Sequence, residues 1–209
     1  MPGDRPSDAA RLERQLAFLA EVDRLKSVLR RTTLCDGSRA ENSAEHSWHL
    51  ALAALTLTEH AGADVDIARV VSMVLVHDIV EIDAGDTFAY DARANLDREV
   101  REQRAAERIF GLLPPPQGAQ LRALWEEFER GETPSARFAI ALDRLQPLLS
   151  NHHAKGGSWK AHGVSRAQVL GRMAPIEHAA PALWPTVLAI VEQNCALGHI
   201  RVGQEREER

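Results

Sequence analysis

Four side chains from distant parts of the chain could share one divalent ion. His77 and Asp78 sit side by side just after the apolar run Val70 to Val76. His46 lies upstream, and Asp143 follows the apolar stretch Phe138-Ala139-Ile140-Ala141-Leu142. An ionised carboxylate in a core is costly unless it is paired or bound to metal, so Asp78 and Asp143 both need partners. Two carboxylates and two imidazoles make a mixed oxygen and nitrogen donor set. That set suits Mn²⁺, Fe²⁺, Co²⁺, Ni²⁺ or Zn²⁺, and an octahedral ion would keep positions open for water and substrate. The plainer reading of the same residues is ion pairing between helices, since a buried Asp serves a helix pair more often than an ion.

The elements that must position these groups read as helices. Apolar positions repeat at three and four along most of the chain, and no stretch alternates cleanly between hairpin turns. The first helix is expected from about Ser7 to Leu29, capped by Ser7 or Asp8, with Leu12, Leu16, Leu19, Val22 and Leu25 as its buried stripe. A polar connection, Arg30 to Ser43, leads to a second helix from about Ala44 to Ala61, which His46 opens. Asp64 or Asp66 caps a third, expected to run to about Asp83 and to stop at Gly85. An irregular stretch, Asp86 to Asn95, follows. Further helices fit Leu96 to Leu113, Gly118 to Arg130 and Pro134 to His152. Two last segments fit Ser165 to Met173 and Pro181 to Leu197, and the charged tail Gln204 to Arg209 reads as frayed. Without repeats or a long linker, the pattern describes one all-α domain.

Composition narrows the function classes. The chain has 209 residues, 44% of them hydrophobic and 26% charged, with a net charge of −5. This balance argues against a polymeric nucleic-acid binder with a broad basic face, though not against a small phosphorylated substrate. No apolar run approaches the ~20 residues of a membrane span. Two cysteines, Cys35 and Cys195, with no apolar leader at the N-terminus, read as reduced thiols of a cytoplasmic protein. Nine histidines stand out against this ordinary background. Of these, His49, one turn from His46, and the pair His152-His153 rank second as site residues. Trp48, Trp125, Trp159 and Trp184 read as core or interface anchors.

The order His46 … His77-Asp78 … Asp143 resembles the H…HD…D signature of the HD-domain metal-dependent phosphohydrolases. Three segments sharpen the likeness to the branch that holds the 5′-deoxynucleotidases: Glu41-Asn42-Ser43-Ala44-Glu45-His46-Ser47, His77-Asp78-Ile79-Val80-Glu81 and Gly85-Asp86-Thr87. The likeness spans roughly Leu25 to Leu149. The later segments Asn151-His152-His153, Gly156-Gly157-Ser158-Trp159 and Ala182-Leu183-Trp184-Pro185 are similar to bacterial proteins of that branch described only as predicted hydrolases. The resemblance implies a single HD-domain helical bundle with a C-terminal helical extension at about 158–200, and a homodimer.

The same resemblance assigns roles. It makes His46, His77, Asp78 and Asp143 the ligands of one divalent ion. It makes Glu81, one turn beyond His77, the group that orients or deprotonates the attacking water. An acid at the C-terminal end of a helix is disfavoured by the dipole, which itself points to a functional reason. Asp86, after the sharp turn that Gly85 permits, becomes the general acid for the leaving alkoxide, and Thr87 a substrate contact. Arg30 matches the phosphate-binding arginine, whose planar guanidinium makes two parallel hydrogen bonds. One departure concerns Arg31, which stands where the deoxynucleotidases carry a tryptophan that screens the ribose 2′-hydroxyl. The likeness therefore does not extend to sugar selectivity. The expected reaction is hydrolysis of the 5′-phosphate monoester of nucleoside (deoxy)monophosphates. A phosphodiesterase or nucleoside triphosphate hydrolase ranks lower, because no cationic cluster for extra phosphates is visible beyond Arg30, Arg31 and Arg39. A non-catalytic helical regulatory protein ranks lower still, given the complete ligand set. Apolar C-terminal residues such as Val187 to Val191 are candidate dimer contacts.

Overall fold

The structure, a computed structural model, describes residues 8–87, 90 and 96–203. Ser7 as a helix cap, the tail 204–209, and residues 88, 89 and 91–95 of the irregular stretch lie outside the described residues. Helices dominate. Helix α1 (Asp8–Val22) leads through a 3₁₀ turn to a two-stranded hairpin, β1 (Leu29–Thr33) and β2 (Ala40–Asn42). Next come α2 (Ser43–Thr56), α3 (Ile67–Val76), the short α4 (Glu81–Ala84), α5 (Arg98–Phe110) and α6 (Pro115–Arg130). The long α7 (Pro134–His153), then α8 (Gly157–His162), α9 (Arg166–Ala179) and α10 (Trp184–Ala196), complete the bundle.

Helix α7 is the axis of the core. The Thr133 hydroxyl accepts from Ala136 N at 3.1 Å and caps it, and Pro134 sits in its first turn. Its face of Phe138, Leu142, Leu145 and Leu148 packs with Leu50 of α2, Met73 of α3, Ile176 of α9 and Val191 of α10. Burying a side chain such as Phe138 contributes roughly 1.5–3 kcal/mol. A second cluster joins Phe18 of α1 to Val76, Ile109, Phe110 and Trp125. Pro147 lies inside α7 and cannot donate to the carbonyl one turn back, that of Asp143.

Several sequence expectations need correction. The first helix ends at Val22, not Leu29, and Leu12, Leu16 and Leu19 are exposed by more than half while Phe18 is buried. The other side of α1 is held by hydrogen bonds: Arg14 donates to the carbonyls of Gly111, Leu112 and Leu113 at 2.7–2.9 Å, beyond the end of α5. The stretch 30–43 is not a plain connection. It forms an antiparallel hairpin, with Leu29 opposite Asn42, Thr33 opposite Ala40, and an irregular register between them. The strand Leu-Arg-Arg-Thr-Thr carries no apolar alternation, because its inward positions face a polar cavity rather than a core. Val187 and Val191 are fully buried in their own bundle, so within the segment Val187 to Val191 it is Leu188 and Ala189 that reach the surface. The tryptophans divide: Trp125 and Trp159 are buried, whereas Trp48 is 62% exposed.

The regular part of α3 stops at Val76 rather than running to Asp83. Tighter turns follow, with Ile79 N donating to Val76 O and Glu81 N to Asp78 O. Glu81 therefore opens α4 and does not end α3. At a helix start the dipole favours an acid, so the apparent misplacement disappears. Gly85 ends α4 at φ 75°, a conformation that a side chain strains, and turns the chain so that Asp86 and Thr87 face the cavity.

Candidate metal centre and its cavity

His46, His77 and Asp143 are buried, and each offers one ligand atom within 4.8 Å of the others. His46 stands in the first turn of α2, whose start is fixed by a reciprocal cap between Asn42 and Glu45. His77 follows α3, and Asp143 lies in mid-α7. The distances are 2.9 Å from His46 Nε2 to Asp143 Oδ1, 3.8 Å from His77 Nε2 to the same oxygen, and 3.0 Å from His77 Nε2 to Asp78 Oδ1. Two bonds of about 2.1 Å at right angles put their donor atoms about 3 Å apart. Asp78 adjoins the trio through His77, and its other oxygen accepts from Arg30 Nη1 at 2.7 Å.

The hydrogen bonds around the imidazoles bear on whether a cation fits. Gln146 Nε2 donates to Glu41 Oε1 at 2.7 Å, which orients the amide so that its Oε1 must accept from His46 Nδ1 at 2.9 Å. His46 Nε2 is then a lone pair, and it faces a carboxylate oxygen at 2.9 Å. Burial, more than any other influence, holds this imidazole below its usual pKa, so a proton is a poor bridge. His77 Nδ1 donates to Val74 O at 2.8 Å, and its buried Nε2 has no hydrogen-bond partner. Two oriented nitrogens and a carboxylate oxygen thus point their lone pairs at one place. These residues fit a divalent cation of the nitrogen- and oxygen-binding class.

Charge is tightly matched around this centre. Burial pulls the Arg30 guanidinium down, but the Asp78, Glu81, Asp143 and Asp86 carboxylates reverse it and leave it raised. Arg30 and His77 hold Asp78 below the usual carboxylate range against its burial. His77, despite burial, is pushed up to about 10 by Asp78 and Asp143, so these carboxylates draw positive charge to Nε2, where a proton and a divalent ion compete for one lone pair. Glu81 is pushed well above its ordinary value, by burial first and then by the Asp78 carboxylate. Its Oε2 accepts from the Ser43 hydroxyl at 2.6 Å. Burial likewise raises Asp86, whose Oδ1 is 3.9 Å from Arg30 Nη1. Thr87 Oγ1 lies 3.4 Å from Arg101 Nη2.

The centre opens onto one cavity of about 170 Å³. Arg30, His77, Asp78, Glu81, Asp86, Thr87 and Asp143 line it. His46 lies behind it, fully buried. Several lining groups escape a reading of the sequence. Arg98, Arg144 and Arg172 line the same cavity as Arg30 and Arg31. The expectation of no further cationic cluster is therefore overturned, while Arg39 pairs with Glu45 outside the cavity. Gln146, also unnoticed, had a signal: it is the polar residue one turn after Asp143 in an apolar helix. His49 Nδ1 lies 3.3 Å from the Gln146 amide and so touches this network from outside. His152 contacts Asn194 and lies away from the cavity lining.

A pocket of this kind, cut into a bundle by an H…HD…D order, defines a class: the chain belongs to the HD domain family, whose profile matches residues 22–184. The match runs into the C-terminal segment as far as α10. Particular relatives sharpen this. A solved structure, the predicted metal-dependent phosphohydrolase from Magnetospirillum magnetotacticum MS-1, is 51% identical and superposes with a TM-score of 0.90, covering 94% of this chain and 99% of that one. The 5′-deoxynucleotidase HDDC2 of Bos taurus is 32% identical over 64% of this chain and 64% of its own length. Its Homo sapiens counterpart is 30% identical over 64% of this chain and 65% of its own. The chain thus spans about two thirds of the length of these curated relatives. No helix among the described residues is long and apolar enough to cross a membrane.

Proposed function

We propose that this chain is a metal-dependent phosphohydrolase that removes the phosphate of small phosphomonoesters, in the first instance nucleoside 5′-monophosphates. The observation that carries the reading is the convergence of His46, His77 and Asp143, with two imidazole lone pairs turned toward one carboxylate oxygen. The likeness to a predicted metal-dependent phosphohydrolase and to 5′-deoxynucleotidases supports it. His46, His77, Asp143 and Asp78 would hold one divalent ion of the Mn, Co, Fe, Ni or Zn kind. Bound there, such an ion acidifies a water and neutralises charge on a phosphoryl oxygen.

The chain's own residues do the rest. Glu81, held by the Ser43 hydroxyl, aligns the attacking water and takes its proton. Arg30 keeps Nη1 on Asp78 and turns Nε toward Glu41 Oε2 at 3.9 Å, and the guanidinium lines the cavity where a phosphate oxygen would sit. Asp86, lodged in the cavity wall and biased by burial toward its protonated form, delivers a proton to the departing ester oxygen. Thr87 borders the substrate. The exposed leucines of α1, Leu12, Leu16 and Leu19, form an apolar stripe that suits a second copy of the chain better than the buried α10 residues do.

Metal analysis of the purified chain, followed by assays on ribo- and deoxyribonucleoside 5′-monophosphates, tests the proposal. It expects one ion per chain, phosphate release that chelation abolishes, and a drop of about 10²–10⁴-fold in Glu81→Ala. A chain without bound ion and without turnover under any of these metals would overturn it, and so would a Glu81→Ala variant at full rate.

A further inference from the structure

The cavity has a second cationic end that the reaction above does not use. Arg172 projects from α9 and Arg144 from α7, and both line the cavity. Arg144 donates one N–H to Asp143. Arg98 is neutralised by Glu102 at 2.6 Å. Arg172 has no hydrogen bond or ion pair among the described residues, although it is partly buried. Burial and then the Arg144 charge pull it down to about 10, with Asp143 opposing them and Arg98 adding to the repulsion. A desolvated cation held against other cations is unfavourable unless an anion completes the site.

Arg30 enters the cavity from β1 and Arg172 from α9. The charges around Arg30 are Asp78, Glu81, Asp143 and Asp86. Those around Arg172 are Arg144, Asp143, Tyr90 and Arg98. Asp143 acts on both guanidinium groups. Aromatic surface lies beside Arg172: Tyr90, which senses its charge and bonds to Trp159, and Trp159 itself.

We propose that Arg172 and Arg144 form a second anion subsite, and that the preferred substrate is a nucleotide carrying a phosphate besides the one held at Arg30. This inference rests on the phosphomonoesterase reading and names its substrate class. In the reaction, the water oxygen bonds to phosphorus, the bond from phosphorus to the ester oxygen breaks, and that oxygen takes the proton. The second phosphate group could be esterified elsewhere on the sugar or joined to the first as an anhydride. A nucleoside 3′,5′-bisphosphate would then release inorganic phosphate and leave a monophosphate. A nucleoside 5′-diphosphate would release pyrophosphate.

Three measurements on the full chain test this. First, inorganic phosphate is titrated calorimetrically into manganese-loaded protein. Two phosphates per chain are expected, and one in Arg172→Gln. Second, kcat/KM for the bisphosphate or the diphosphate is compared with that for the monophosphate. The wild-type ratio should be at least about tenfold for one of them, and Arg172→Gln should collapse it mainly through KM. Third, thermal melting of ligand-free protein should rise in Arg172→Met, because an uncompensated charge is removed, and phosphate should then protect the variant less than the wild type. A merely structural arginine would give the opposite shift.

A single phosphate per wild-type chain overturns the subsite, as does a ratio near one, a ratio unaltered by the substitution, or a lowered melting point. Equal loss of monophosphate and bisphosphate turnover also overturns it, since Arg172 would then grip the scissile group. If the protein binds two phosphates and loses one in Arg172→Gln but hydrolyses no phosphoester, the subsite stands and the hydrolase reading falls.

Discussion

The two ends of the cavity follow opposite charge rules. At the His77 end Arg30 has carboxylate partners: it donates to Asp78 at 2.7 Å and lies 3.9 Å from Asp86, and Glu81 takes a hydroxyl from Ser43 at 2.6 Å. At the other end Arg172 has no hydrogen bond or ion pair among the described residues, and Arg144 and Arg98 repel it while Asp143 attracts it. The matched end stabilises the folded chain even without substrate. The unmatched end costs stability until an anion arrives. Removing one charge should therefore have opposite consequences at the two ends, and that contrast can be tested directly.

The largest effect is expected from Asp78→Asn. It leaves the buried Arg30 guanidinium without its closest carboxylate, and breaking a buried pair costs about 3–5 kcal/mol. Equilibrium urea denaturation with metal chelated should show that loss, and phosphatase activity should vanish with it. A variant as stable as the wild type would mean that the matched end is matched in appearance only. Arg172→Met should move the ligand-free stability the other way, by about 1 kcal/mol.

A smaller effect should come from support of the ligands rather than from the charges. Gln146→Leu keeps side-chain volume close but removes the oxygen that accepts from His46 Nδ1 and the donor to Glu41. The His46 ring would lose its fixed tautomer, and ion affinity should fall about 10–100-fold. Competition against a metal indicator measures it. An affinity within about twofold of wild type would show that packing alone orients the ring.

The same contrast governs what could be read from the sequence. His46, His77, Asp78 and Asp143 are legible because polar groups in apolar helical runs demand a reason. Helix α7 was legible from end to end, because Pro134 marks its start and its apolar positions keep one face. The hairpin was not, because Arg30 to Thr33 turn their inward side to a polar cavity and show no alternation. The buried face of α1 was misread for a related reason. Periodicity reveals that Leu12, Leu16 and Leu19 share a side, but not whether anything covers it. Arg144 and Arg172 gave no local sign at all. A charged residue on a helix is ordinary until the fold presses two of them, from α7 and α9, into one space.

A matched pair outside the cavity offers the control. Glu127 of α6 accepts from Arg69 Nε at 2.8 Å and from the Thr133 hydroxyl at 2.6 Å, the hydroxyl that also caps α7. Arg69 is nearly half exposed. The Arg69 hydrogen bond, ahead of any other cause, holds the Glu127 carboxyl below its ordinary value. A folded pKa lower than the unfolded one, about 4.3, contributes stability that is complete above the unfolded pKa and is lost as pH falls through the folded one. Glu127→Gln should thus be less stable than wild type at pH 7 by about 1 kcal/mol or less, and the gap should close below about pH 4. Thermal melts across that range measure it. A gap that persists at low pH would assign the stabilisation to the geometry of the Thr133 cap. Exposure would then have erased the value of charge matching here, which is what separates this pair from the buried one at Asp78.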